Sequence, residues 1–151
     1  MIKINYNVDE IQWNKNFPYF KKYISKTVNE TFNVIDVGIT QNISITFFLT
    51  SNKKIKELNM KFRKKNKPTN VLSFPMQSTY RDNYLLGDIV LANQTLLQES
   101  IELRVKKYDY LSKMTIHGML HLLGYDHKTE KQYKQMKKFE NLIYNSVKLE
   151  S

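Results

Sequence analysis

The chain has three histidines, and all of them fall in one short stretch, His117-Gly118-Met119-Leu120-His121-Leu122-Leu123-Gly124-Tyr125-Asp126-His127. On an α-helix, positions i and i+4 share a face and lie about 6 Å apart along the axis. His117 and His121 can therefore converge on one ion. If the helix continued, His127 would sit about 9 Å beyond His121 and roughly 120° around the axis, out of reach of both. Gly124 resolves this conflict. A glycine there permits the left-handed conformation that ends a helix and turns the chain back. The spacing thus demands a helix, a stop just after His121, and a return that brings His127 to the first two.

Three neutral imidazoles without a thiolate suit a zinc-like ion, although Ni²⁺ or Cu²⁺ would also accept such a set. Cys is 0, so thiolate ligands and disulfides are both excluded. Three protein ligands leave the fourth position of a tetrahedral ion open, as in catalytic zinc sites. The alternative reading is three unrelated histidines, one of them neutralising a helix C-terminus. The spacing His-x3-His-x5-His also occurs in one group of zinc peptidases. Those carry a Glu directly after the first His as general base, and here that position is Gly118. Losing a general base costs about 10² to 10⁴ in rate, which argues against a peptidase.

Lys plus Arg is 24 and Asp plus Glu is 14, a net charge of +10 and a pI near 9.6. Such a balance favours an anionic partner, with nucleic acid the first class to consider. No run of about 18 apolar residues is present, so no membrane span is expected. Met1 to Tyr6 lacks the apolar core of a signal peptide. With no cysteine besides, a cytoplasmic protein is expected.

No repeat, linker or break in composition divides the chain, so residues 1–151 read as a single domain. Residues 2–6 alternate apolar and polar and predict a first strand. Phe17, Phe20, Ile24, Val28 and Phe32 recur at helical spacing, with Pro18 placed in the first turn. Residues 43–49 are β-branched and aromatic and predict a buried strand. Ser51 is placed as N-cap of a helix through Phe62, with Ile55, Leu58 and Phe62 facing inward. Residues 71–74 and 85–92 read as strands joined by a polar loop over 75–83. Helices follow over 94–105 and 108–123. Thr129 and Gln132 form a capping-box pattern for a last helix through Val147, burying Tyr133, Met136, Phe139, Ile143 and Val147. Strands first and helices later predict an α+β fold, a mixed sheet of about four strands with helices packed on it.

The histidine stretch resembles the signature of the YbeY family of endoribonucleases, the rRNA maturation factors. Two other segments agree: Leu58-Asn59, Arg63 and Lys67-Pro68-Thr69-Asn70-Val71-Leu72-Ser73-Phe74-Pro75, then Leu86-Gly87-Asp88-Ile89-Val90. Met136 and Glu140 also fall where the family has them, and Asn70 stands where many members have Asp. The likeness runs from about Leu58 to Ile143. It implies a single-domain α+β fold and one zinc ion held by His117, His121 and His127. It further implies metal-dependent cleavage of single-stranded RNA, late 3′-end maturation of small-subunit (16S) rRNA, ribosome quality control, and a bacterial, cytoplasmic setting. RNA and the ribosome are then the partners, and a monomer is assumed.

Residues 53–67 hold Lys53, Lys54, Lys56, Lys61, Arg63, Lys64, Lys65 and Lys67 against the single acid Glu57. This run reads either as a solvated face or as a phosphate track leading to the metal. Arg63 stands out as an arginine in a lysine run and matches the family's Arg. Its planar fork can hold two phosphate oxygens, so it is the candidate for phosphate or transition-state stabilisation, against a structural salt bridge. Lys128, Lys131, Lys134 and Lys138 form a basic stripe on the last helix. Ser73 and Thr69 are candidate phosphate donors, and Tyr80 and Tyr84 candidate base-stacking groups. Asp126 is placed either to orient a ligand imidazole or to cap its turn, and Asp88 on an edge strand. The leading reading is a zinc-dependent endoribonuclease. A zinc hydrolase of another class and a non-catalytic ribosome-associated RNA-binding factor remain the alternatives.

Overall fold

The computed structural model describes residues 1–149. Strand β1 (Ile2–Val8) leads through α1 (Gln12–Asn16) and α2 (Phe20–Val34) to β2 (Asn42–Thr50). Helix α3 (Asn52–Arg63) then crosses to the hairpin of β3 (Val71–Tyr80) and β4 (Asn83–Ala92). Helices α4 (Asn93–Leu103), α5 (Lys107–Leu122) and α6 (Glu130–Leu149) complete the chain. The strand order is β1-β2-β4-β3, with β1, β2 and β4 parallel and β3 antiparallel to β4. This is the mixed four-stranded α+β sheet that the order of elements implied.

Alternation along β2 builds the two faces. Ile43, Ile45, Phe47 and Leu49 meet Ile89 and Leu91 of β4, Phe20, Ile24 and Val28 of α2, and Leu111, Met119 and Leu122 of α5. Each fully buried side chain of this kind contributes about 1.5–3 kcal/mol relative to exposure. On the opposite face, Ile55 and Leu58 of α3 cover Leu72, Phe74, Val90 and Phe48. Helix α6 lays Met136, Ile143 and Val147 against Ile116 and Leu120 of α5.

Gly87 lets α5 seat on the sheet. A Cβ there would come within 2.4 Å of the Phe74 carbonyl oxygen and 2.8 Å of Leu122 Cδ2, and its φ is 151°. The C-terminal end of α5, which carries His117 and His121, therefore lies directly on the β3–β4 pair.

Several expectations are corrected. Residues 75–83 are not a polar loop: β3 runs to Tyr80 and turns at Arg81 (φ 55°). Pro75 precedes a bulge, the register shifting between Pro75 and Ser78, and it lies on an edge strand where a missing N–H is tolerated. Asp88 is not on an edge strand, since β4 lies between β2 and β3. Pro18 precedes α2 rather than entering its first turn, and the short α1 that buries Trp13 went unread. Phe62 is 49% and Tyr133 55% exposed, because each sits at the margin of its helix's apolar stripe.

Candidate metal centre and nucleic-acid cleft

Helix α5 ends in a Schellman motif. The Gly124 N–H donates to the His121 carbonyl and the Tyr125 N–H to the Leu120 carbonyl, with Gly124 at φ 95°. Tyr125 then packs beside Leu120 in the α5–α6 core. The chain reverses, and α6 begins at a reciprocal capping box: the Gln132 N–H donates to Thr129 Oγ1 (3.1 Å) and the Thr129 N–H to Gln132 Oε1 (3.2 Å). His127 lies between these two fixed points.

The return brings the third imidazole home. Its ring centre lies 5.6 Å from that of His117 and 5.3 Å from that of His121. One ligand nitrogen from each of the three lies within 4.8 Å of the others. Two nitrogens each about 2.0–2.1 Å from a tetrahedral ion stand about 3.3 Å apart. His117 Nε2 and His121 Nε2 are separated by 3.1 Å, so the donor set fits zinc.

Protonation also favours metal binding. Burial lowers the His121 pKa, and the neighbouring His117 and His127 lower it further, which favours the neutral ring with one nitrogen lone pair free to bind an ion. His117 Nδ1 lies 3.0 Å from Glu140 Oε1 of α6. That contact assigns the His117 proton to Nδ1 and leaves Nε2 as the ligand atom. Burial alone would raise the Glu140 pKa, but the His117 hydrogen bond and charge, with Lys137 beside it, hold the carboxyl below its usual range.

Gly118 explains the missing general base. A Cβ there would meet Ser73 Oγ and Val71 Cγ2 at 3.2 Å and Ile89 Cδ1 at 3.3 Å. The position faces the sheet, where a side chain would crowd these three neighbours. Ser73 Oγ donates to the Gly118 carbonyl (3.0 Å), so its hydroxyl ties α5 to β3.

In front of the triad opens a cleft of about 800 Å³. Arg63, Lys65, Lys67 and Lys128 line it together with Thr69 and the three histidines. The guanidinium of Arg63 stacks 5.0 Å from the Phe74 ring centre and donates to the Ser73 (3.0 Å) and Phe62 (3.2 Å) carbonyls. These contacts aim the fork along the cleft wall, and no carboxylate pairs with it among the described residues.

The fold agrees with what known proteins show. The family model described as Endoribonuclease YbeY matches residues 7–148. A relative named Endoribonuclease YbeY from Buchnera aphidicola (subsp. Acyrthosiphon pisum) is 43% identical, covering 89% of this chain and 84% of its own. Another of that name from Pelagibacter ubique is 38% identical over 98% of this chain and 97% of its own. The chain belongs to the YbeY endoribonuclease family. The solution structure of TM1509 from Thermotoga maritima shares the fold, with a TM-score of 0.54 and 25% identity across 99% of this chain and 93% of that one.

Within this family site, the sequence candidates divide. Arg63, Lys65, Lys67, Thr69 and Lys128 reach the cleft. Lys53, Lys56 and Lys61 instead flank a separate groove on α3 beside Met60, so the basic run is split between two surfaces. On α6, Lys134 pairs with Glu130 at 3.3 Å. Tyr80 stands 60% exposed at the hairpin tip, under Arg81, outside the cleft lining. Asp126 caps its turn: Oδ1 accepts the His127 N–H at 2.8 Å, and this bond holds its pKa low. Asn70 donates to Glu99 Oε1 (2.8 Å), which also accepts from the Tyr110 hydroxyl (2.9 Å). An Asp at that position would set two carboxylates side by side, which accounts for the amide here.

The sequence marks the orienting carboxylate, Glu140, only through the family resemblance. A signal for it was present. Met136, Glu140, Ile143 and Val147 recur at helical spacing, and a carboxylate inside an apolar stripe needs a buried partner. Among the described residues, no helix is long and apolar enough to cross a membrane.

Proposed function

We propose that this chain is a zinc-dependent endoribonuclease specific for single strands, with residues 1–151 forming one catalytic domain. His117, His121 and His127 are its metal ligands and Arg63 stabilises charge on the scissile phosphate. Its substrate is the small-subunit rRNA precursor on the ribosome. There it acts in the cytoplasm, as a monomer, in late 16S 3′-end maturation and ribosome quality control. The observation that carries this reading is the juxtaposition of the triad with Arg63, Lys65, Lys67 and Lys128 around one cleft, in a chain of the YbeY family.

When bound, zinc supplies Lewis acidity toward a phosphodiester oxygen and acidifies the attacking water. The chain's own residues do the rest. Glu140 keeps the His117 proton on Nδ1, away from the ligand nitrogen. Lys65, Lys67 and Lys128 hold flanking phosphates as point charges, and Arg63 offers its remaining N–H groups to the phosphate at the centre. Because Gly118 supplies no general base and a side chain there would press on the sheet, electrostatic stabilisation carries more of the barrier than proton transfer to a carboxylate. The same crowding disfavours the peptidase reading.

Metal analysis combined with single-turnover cleavage of single-stranded and duplex RNA tests this. About one zinc per chain and cleavage confined to single strands are expected. Metal-free protein cleaving at full rate, or zinc-loaded protein leaving RNA intact, would overturn it. For the ribosomal role, cells whose sole copy carries His121→Ala should accumulate 3′-extended 16S rRNA.

A further inference from the structure

The triad has a second side. His117 and His127 line the basic cleft and also a smaller pocket of about 270 Å³, completed by Tyr133, Met136, Lys137 and Glu140 of α6. The two imidazoles thus form a partition between two openings. An enzyme that cuts within a strand must hold nucleotides on both sides of the scissile phosphate. The basic cleft provides for one side.

The pocket differs from the cleft in chemistry. The cleft carries Arg63, Lys65, Lys67 and Lys128 against the single acid Asp126. The pocket carries one cation, Lys137, and one acid, Glu140, 3.9 Å apart, so its lining has no net positive charge. It is poorly suited to hold phosphate. What it offers instead is an aromatic ring, Tyr133, 55% exposed although it sits within a helix, in a lining it shares with the thioether of Met136. An exposed ring beside a soft apolar floor is a surface on which an unpaired base stacks.

We propose that this pocket receives the base of the nucleotide on the far side of the scissile phosphate from the basic cleft, and that Tyr133 stacks on it. The inference rests on the endoribonuclease reading above. It also gives a physical basis for single-strand preference: a base held in a duplex cannot turn into the pocket. One side of the substrate is then held by salt-sensitive phosphate contacts and the other by salt-insensitive stacking.

The test uses the zinc-loaded full chain and short single-stranded RNA. Tyr133→Ala should weaken RNA binding about five- to hundredfold, with the loss falling on KM more than on kcat. Zinc content and the salt dependence of binding should stay as in the wild type, and Tyr133→Phe should restore affinity. A direct reading comes from Tyr133→Trp, because the native Trp13 is fully buried: emission from the introduced indole should be quenched on adding RNA. If wild-type protein binds and cleaves RNA while Tyr133→Ala matches its KM, or the indole signal stays flat through saturation, the pocket proposal fails and the endoribonuclease reading survives. If wild-type protein neither binds nor cleaves RNA, both fall together.

Discussion

The two walls of the cleft are built differently. On one, α5 and α6 hold the histidines on packed backbone. His117 is braced by Glu140, Gly118 is wedged against Val71 and Ile89, and the turn between the helices is closed by the Schellman bonds and the capping box. On the other, Arg63, Lys65 and Lys67 stand exposed where α3 gives way to β3. Metal coordination tolerates errors of only a few tenths of an ångström, so its ligands need rigid support. Attraction of a polyanion depends on charge density more than on position. The helical wall should therefore govern metal affinity, and the loop wall the salt-sensitive part of RNA affinity and the rate.

The largest effect tests the helical wall. His121→Ala leaves two imidazoles, and stoichiometric zinc should no longer survive dialysis against a metal-free buffer. Full occupancy by metal analysis in that variant would remove the triad as the site. RNA binding at low salt should persist, since the loop wall is untouched.

Arg63→Lys tests the opposite wall. The charge remains, but the two-pronged donor that reaches the Ser73 and Phe62 carbonyls is lost. Removing one preorganised donor at a developing charge costs about 10² to 10³ in rate. Single-turnover cleavage should fall by that order with zinc content unchanged. Cleavage at the wild-type rate would leave Arg63 with a packing role on Phe74 alone.

How far each wall could be read from sequence follows from the range of its interactions. The helix, its stop at Gly124 and the capping box at Thr129 are local patterns, and spacing alone required His127 to return. The fold class was equally legible, because strands and helices announce themselves by period. The outer half of the β3–β4 hairpin is not legible, because Pro75 and a polar run usually mark loops, whereas an edge strand tolerates both. That Lys65 and Lys67 face the triad while Lys53 and Lys61 do not depends on how α3 crosses the sheet, which no local pattern encodes. Tyr133 was placed in the core by helical period, yet it lies at the stripe's margin and faces the small pocket.

Glu140→Ala gives the next effect down. Loss of a carboxylate that orients a ligand imidazole typically costs 10–100-fold in metal affinity, and zinc titration should show a drop of about that size. Acid attacks the same wall. The His121 pKa is lowered from 6.5 by burial and its neighbours, and that of Glu140 is lowered from 4.5 because its His117 contacts outweigh burial. Both folded values lie below the unfolded ones. Each group's stabilisation is therefore present above its unfolded value and lost as pH falls through the folded value. Thermal unfolding of metal-free protein should accordingly shift to lower temperature between pH 7 and pH 4. A midpoint that rises over that interval would contradict these assignments.

The smallest effect belongs to the lysines of the loop wall. A cation that neutralises one phosphate of a single strand contributes about 0.7 to the slope of log affinity against log salt. Lys65 and Lys67 line the cleft, whereas Lys53 and Lys56 flank the separate groove on α3. Replacing Lys65 and Lys67 together by Ala should therefore lower the slope by about 1.4 and leave zinc binding unchanged. Replacing Lys53 and Lys56 removes the same net charge from the other surface. If RNA follows the cleft, the two double variants should differ, with the second keeping nearly the wild-type slope. Equal losses in both would mean that the general positive field, and not a track along one wall, draws the substrate in. The division of labour between the walls would then hold for the metal alone.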